Sequence, residues 1–338
     1  MPSLPPTAEF QLDFLKKVEV LLAQGRFTST YKFALLIALT NIAVEQGNDS
    51  GDELDVEIDE IARQFVKIYA NMARPYRDGR VLKQLNAPAQ QAEMLTHLQR
   101  HVRVAEANHR RLRIYNVNAE ELLPSARRTV KRYVLDALQT TGGSNLTAAP
   151  NHFMFVPPRA AKPGSSRSSI RLQPQVMACL RSLHDIIVTL TQAHWARWVR
   201  ERNKSLGADR RLEAFLFGEN RTAVRVYAER FYDLQDKRCF YSGKKLDGPK
   251  SGEVDHFIPW ARYPFDSPFN LVLASRAENN KKSDQLASPE ARARWLARNA
   301  NAETCALLTQ PAPTGFGASA EDAKVAEAIA DWIYQTTA

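Results

Sequence analysis

The sequence predicts a mainly α-helical protein with a helical N-terminal domain and a C-terminal α+β domain. Apolar residues recur every three or four positions over long stretches of both halves, which is typical of helices. A Pro-, Gly- and Ser-rich basic segment, residues 141–174, separates the two halves and predicts a linker. The α+β character of the second half rests on a short strand that is expected to end at Val254-Asp-His.

The N-terminal domain, residues 1–140, is predicted to consist of helices. Phe10, Phe14, Val18 and Leu21 share one helical face that stops near Gly25. The run that follows is apolar on most sides, as expected of a central helix. Further helices are predicted from about Asp55 to just before Pro75, at 92–104 and at 125–138. We expect this domain to regulate the protein or to bind a partner.

The C-terminal domain, residues 175–338, is predicted to place helices on both sides of a small core at 238–285. Apolar spacing predicts a long helix from Val176 through Trp198 and a second at about 221–235. Ser288-Pro-Glu is a favourable helix start, and Ser319 followed by Asp322 is another. We expect these helices to stabilise the core by packing against it.

Composition limits the classes of function. The chain has 338 residues, and its 46 Lys and Arg against 37 Asp and Glu give a net charge of +9, which favours phosphate-rich partners. The longest apolar run, 33–44, is too short to cross a bilayer, so no membrane role is expected. Three widely spaced cysteines and a start without a secretory signal favour a cytoplasmic protein without disulfides.

Four polar residues carry the chemistry. Asp255, His256, Asn270 and Asn279 place a carboxylate, a histidine and two carboxamides within 25 residues. Neighbours on a strand point to opposite faces, so Asp255 and His256 are expected to have different tasks. Asp255 can donate an oxygen to a cation, while His256 can take a proton from a water that attacks phosphorus. This set is suited to cutting a phosphodiester with one hard metal ion.

The segment from 238 to 285 resembles the HNH endonuclease family. The resemblance rests on Arg-Cys-Phe-Tyr-Ser-Gly-Lys-Lys-Leu, Val-Asp-His-Phe-Ile-Pro-Trp, Asn-Leu-Val-Leu-Ala and Asn-Asn-Lys-Lys-Ser-Asp, which begin at 238, 254, 270 and 279. It implies a ββα-metal core in which Asn279 is the second metal ligand and Asn270 orients the histidine. The spacing is also similar to that of the HNH domain in RNA-guided CRISPR nucleases. Two oxygen ligands favour Mg²⁺, with Mn²⁺ as a substitute, over Zn²⁺.

Nearby cations are candidates for nucleic-acid contacts. Lys281 and Lys282 follow Asn279 and are expected to meet flanking phosphates, as is Arg262, although exposed helix lysines without a ligand are an equal alternative. Many HNH members also carry a zinc knuckle of four cysteines. The corresponding positions in this chain are Cys239, Ser242, Ser275 and Glu278, so a structural zinc is not expected.

The sequence therefore predicts a metal-dependent endonuclease that hydrolyses DNA. Its N-terminal domain is expected to control cleavage through a regulatory protein partner or a homo-oligomer, and a role in bacterial defence against foreign DNA fits by analogy. Two alternatives stay open. The first is a nucleic-acid-binding or assembly module that keeps the scaffold without turnover, and the second is a nuclease directed at RNA.

Overall fold

The structure, a computed structural model, divides into two compact units, 1–104 with 119–218 and 105–118 with 219–338. It describes residues 3–25, 27–76, 79–86, 92–107, 119–139, 152–156, 169–206, 209, 211–218, 224–310 and 318–336. The mainly α fold class is confirmed, and the second unit contains a two-stranded sheet within the predicted core at 238–285.

Helices make up most of the first unit. They are α1 (Ala8–Gln24), α2 (Tyr31–Gln46), α3 (Ile58–Ala70), α4 (Glu93–Ala107), α5 (Ala119–Tyr133), α6 (Leu135–Leu138), α7 (Val176–Ser182), α8 (His184–Arg202) and α9 (Leu212–Phe217). A three-stranded antiparallel sheet joins β1 (Leu54–Glu57), β2 (Phe155–Val156) and β3 (Ser169–Leu172) in the order β1-β3-β2.

Helix α2 is the centre of this unit, as its apolar sequence predicts. Almost every residue from Tyr31 to Glu45 is buried, because α3, α7 and α8 lie around it. Trp195 of α8 is fully buried, with its ring near those of Phe33 and Tyr69. Its Nε1 donates a hydrogen bond to Gln84 Oε1 at 2.9 Å. Helix α8, which the sequence analysis places in the C-terminal domain, is therefore part of the core of the first unit.

One sequence-based helix boundary differs from the structure. The helix expected from Asp55 begins at Ile58, because Leu54–Glu57 pairs instead with Ser169–Leu172 as strands. Helices α7 and α8 fall in the first compact unit, which runs to residue 218, because Trp195 of α8 is buried there. The domain boundary expected at 141–174 stays a prediction. Residues 141–151 and 157–168 of the predicted linker lie outside the described residues.

The second unit contains the predicted core and its flanking helices. Its elements are α10 (Ala228–Leu234), β4 (Gly252–His256), β5 (Leu271–Ser275), α11 (Arg276–Lys282), α12 (Pro289–Ala300), α13 (Ala302–Thr309) and α14 (Glu321–Thr336). Strand β4 ends at His256, as predicted. Ser288 caps α12 by accepting a hydrogen bond from Ala291 N–H.

Within the described residues, no helix combines the length and apolar character that crossing a membrane requires.

Candidate active site

The candidate site is built on a ββα frame in the second unit. Strands β4 and β5 are antiparallel, with Asp255 opposite Val272 and His256 opposite Leu271. Helix α11 begins directly after β5, where the Ser275 side chain accepts from Glu278 N–H. Because side chains alternate along β4, Glu253 and Asp255 share one face, on which they contact α11.

Asp255 is held by two donors on one of its oxygens. The hydroxyl of Tyr241 donates to Asp255 Oδ2 at 2.6 Å, and Lys282 Nζ lies 3.1 Å from the same oxygen. Burial, the charge of Asp255 and this hydrogen bond raise the pKa of Tyr241 well above its usual value, so the phenol stays protonated as a donor. No described residue hydrogen-bonds the second oxygen, Oδ1.

Lys282 is engaged inside the protein. Its side chain is 6% exposed, and Nζ donates to the backbone oxygen of His256 at 2.8 Å as well as pairing with Asp255. The sequence assigns this lysine to phosphate contacts, but its position three residues after Asn279 turns it toward β4. Lys282 thus ties α11 to the end of the strand.

His256 is paired with a carboxylate that sequence reasoning missed. Its Nε2 lies 2.6 Å from Asp266 Oδ1, and both side chains are largely buried, at 4% and 12% exposure. The centre of the Trp260 ring lies 5.4 Å from the centre of the imidazole. Asp266 is ten residues away in a loop, so no spacing rule of strands or helices could have indicated the contact.

Asn270 holds the loop that links His256 to β5. It is fully buried, and its Oδ1 accepts from Ile258 N–H at 2.8 Å. Its Nδ2 donates to the backbone oxygens of Ile258 and Phe265 at 3.1 and 3.0 Å. The carboxamide therefore satisfies three buried backbone groups at two points of the loop.

Asn279 faces a second carboxylate on β4. Its Nδ2 donates to Glu253 Oε2 at 2.9 Å, while Arg276 donates to Glu253 Oε1, also at 2.9 Å. These hydrogen bonds from Asn279 and Arg276 lower the pKa of Glu253 and keep it ionised at neutral pH. Because a carboxylate only accepts, the bond fixes the amide orientation and directs Asn279 Oδ1 elsewhere.

Arg298 supports the start of β5 from below. Its partly buried guanidinium donates to the backbone oxygens of Phe269 and Leu271 at 2.8 and 2.6 Å, on either side of Asn270. Burial lowers the pKa of Arg298 to about 9. This cation adds fixed hydrogen bonds to the segment that carries Asn270.

The comparison with known families agrees with this geometry. A model described as HNH endonuclease matches residues 239–288. The chain carries an HNH endonuclease domain. A search of curated proteins found no match to this sequence. The HNH domain indicates nuclease activity on a nucleic acid, in a family that generally depends on divalent metal ions.

The zinc-knuckle positions of the HNH domain are joined by hydrogen bonds. Cys239 Sγ accepts from Ser275 N–H at 3.2 Å. Burial raises the pKa of Cys239, but hydrogen bonds from the Ser242 side chain and from backbone N–H groups outweigh it and lower the pKa. One thiol, two hydroxyls and one carboxylate do not fit a tetrahedral structural zinc. In the described parts of the chain, no three His, Cys, Asp or Glu side chains group as metal ligands.

The remaining predicted contact residues of the HNH domain lie at its surface. Lys281 and Arg262 are both exposed, the former on α11 and the latter in the loop between the strands.

Replacing Asn270 with alanine should destabilise the HNH domain by at least about 3 kcal/mol, because three buried backbone groups lose their partner. Urea unfolding measured by tryptophan fluorescence would test this. Asn280→Ala removes an exposed amide on α11 and should change stability by less than about 0.5 kcal/mol. Equal effects of the two substitutions would contradict the role given to Asn270.

Proposed function

We propose that this chain is a divalent-metal-dependent endonuclease that hydrolyses phosphodiester bonds in DNA. One observation carries the proposal. Each of Asp255, His256 and Asn279 has one polar atom held by a neighbouring side chain, which fixes the orientation of the whole side chain. Such support of reacting groups by a surrounding shell is what a catalytic site needs.

Asp255 and Asn279 are the proposed metal ligands. They share the face between β4 and α11, since Asn279 contacts Glu253 and Lys282 contacts Asp255 on that face. Their two Oδ1 atoms are hard oxygen donors, and two such donors with water completing the shell suit Mg²⁺, or Mn²⁺ in its place. A bound ion would stabilise the negative charge that develops on the phosphate and on the leaving 3′ oxygen.

His256 is the proposed general base, and Asp266 sets its tautomer. A carboxylate that accepts from Nε2–H leaves the lone pair of the neutral imidazole on Nδ1. In the proposed step, Nδ1 takes a proton from water as the water oxygen bonds to phosphorus and the bond to the 3′ oxygen breaks. Lys282 fixes the backbone oxygen of His256, and Asn270 fixes the backbone at Ile258, two residues further along.

One observation favours a second function. His256 is only 4% exposed, which suits a scaffold that binds nucleic acid without turnover better than it suits an open base. The proposed step requires the attacking water to reach this largely buried imidazole. Binding that is strong, salt-sensitive and indifferent to chelation, without any cleavage, would identify the non-catalytic module.

The expectations about control and setting belong to this proposal. The helical first unit would regulate cleavage through a protein partner or a homo-oligomer, because an uncontrolled nuclease endangers its own cell. Lys281 and Arg262 would contact phosphates as exposed cations. A cytoplasmic place and a role in defence against foreign DNA remain predictions. Competition between DNA and RNA of equal length would test the choice of substrate.

Purified protein should nick supercoiled plasmid in Mg²⁺ or Mn²⁺ and not in EDTA. Asp255→Ala, His256→Ala and Asn279→Ala should each reduce the rate by at least about 100-fold, because each removes a ligand or the base. Asn280→Ala, which changes an exposed neighbour of Asn279, should cut like wild type. A folded His256→Ala protein that nicks at the wild-type rate would refute the mechanism.

Asp266→Asn should lower kcat by roughly 100- to 10,000-fold with KM changed little, because the tautomer of His256 is no longer fixed. Nitrogen NMR shifts of His256 should report the Nε2–H form in wild type and a mixture in the variant. Asp284→Asn, at an exposed carboxylate of the same domain, is the matched control. Unchanged kcat and unchanged His256 shifts in Asp266→Asn would show that the carboxylate has no positioning role.

A further inference from the structure

The hairpin formed by residues 237–246 is a compact basic feature of the second unit. Lys237, Arg238, Lys244 and Lys245 are all exposed, and the ten residues contain no acid, although Asp236 and Asp247 flank them. None of these four cations forms an ion pair with a described residue. By contrast, Arg276 and Lys282 in the same unit pair with Glu253 and Asp255.

The backbone holds these cations in a fixed arrangement. Cys239 N–H donates to Lys244 O at 2.8 Å, and Leu246 N–H donates to Lys237 O at the same distance. Gly243 closes the turn with φ +69°, a conformation that favours glycine. The charged side chains therefore stand on a tight turn rather than on a loose loop.

Two like charges stand opposite each other in this hairpin. Arg238 and Lys245 form an antiparallel bridge pair, and like charges at directly opposed positions destabilise a strand pair. The Arg238 guanidinium donates to Gly243 O at 3.0 Å, which holds it over the turn. The fold thus keeps an unfavourable charge arrangement that an anion on this surface would relieve.

The same hairpin is attached to the candidate active site. Phe240 N–H donates to Leu273 O on β5 at 2.9 Å. Tyr241, which is also part of the hairpin, donates its hydroxyl to Asp255. A DNA strand whose phosphate lies at Asp255 would therefore pass close to the hairpin. No other described cations of the second unit combine this exposure, this density and a direct link to Asp255.

We propose that the 237–246 hairpin is a DNA-backbone contact surface, on which Lys237, Arg238, Lys244 and Lys245 bind phosphates that flank the cleaved bond. The inference rests on the proposed nuclease function, because it takes the substrate of that site as the anion. It adds the surface that provides the electrostatic part of DNA affinity. Its contribution is expected to be independent of base sequence.

The test is binding of a fluorescent DNA duplex in EDTA at several salt concentrations, which needs no cleavage. Replacing both Lys244 and Lys245 with alanine should lower the slope of log K against log salt by about 2 and weaken binding at 0.1 M salt by roughly 10- to 30-fold. The melting temperature of this double variant should stay the same or rise, because Lys245→Ala removes the charge repulsion between Lys245 and Arg238.

A control with the same net charge replaces Lys16 and Lys324, two exposed lysines outside the hairpin, with alanine. This control should keep the wild-type slope and bind within about twofold of wild type. An unchanged slope in the hairpin variant, or an equal loss in the control, would overturn the proposal. This outcome is separable from that of the nuclease test. Plasmid nicking can fail while the salt slope of the hairpin variant changes, and nicking can succeed while that slope stays the same.

Discussion

The three hydrogen bonds of the Asn270 carboxamide are the constraint on which the candidate site depends. The chain leaves β4 at His256 and must return to β5 through a loop that is buried at Ile258, Phe265 and Asn270, so the polar backbone groups there need partners inside the protein. Asn270 supplies them at Ile258 and Phe265, while Arg298 occupies the carbonyl groups on either side of it. Fixed in this way, the loop can carry Asp266 to the imidazole of His256.

The side chains that we propose to react are then oriented in a common way. A neighbour holds one atom of each: Tyr241 and Lys282 hold Asp255 Oδ2, Glu253 holds Asn279 Nδ2, and Asp266 holds His256 Nε2. Such pre-organisation removes the cost of ordering these groups during reaction. The same kind of support explains how the core keeps its shape although its knuckle positions do not fit zinc, because hydrogen bonds at Cys239 and Ser275 join the hairpin to β5.

Sequence reasoning reached the fold class and the family because both rest on local patterns. Helical spacing and the Asp-His motif are read within short windows. The strand Leu54–Glu57 was missed because its partner lies more than 100 residues away. The packing of α8 in the first unit depends on a buried contact between Trp195 and Phe33, which is also distant in sequence. Asp266 and Glu253 were missed for the same reason, since their partners are chosen by the tertiary fold rather than by spacing.

In the proposed mechanism, Asp255 and Asn279 hold one divalent ion beside His256. Electron paramagnetic resonance titration of Mn²⁺ into the purified protein measures this binding without requiring DNA or cleavage. One Mn²⁺ per chain should bind to wild type and to His256→Ala, and the site should be lost in Asp255→Asn. If Asp255→Asn binds Mn²⁺ as wild type does, Asp255 is not a metal ligand.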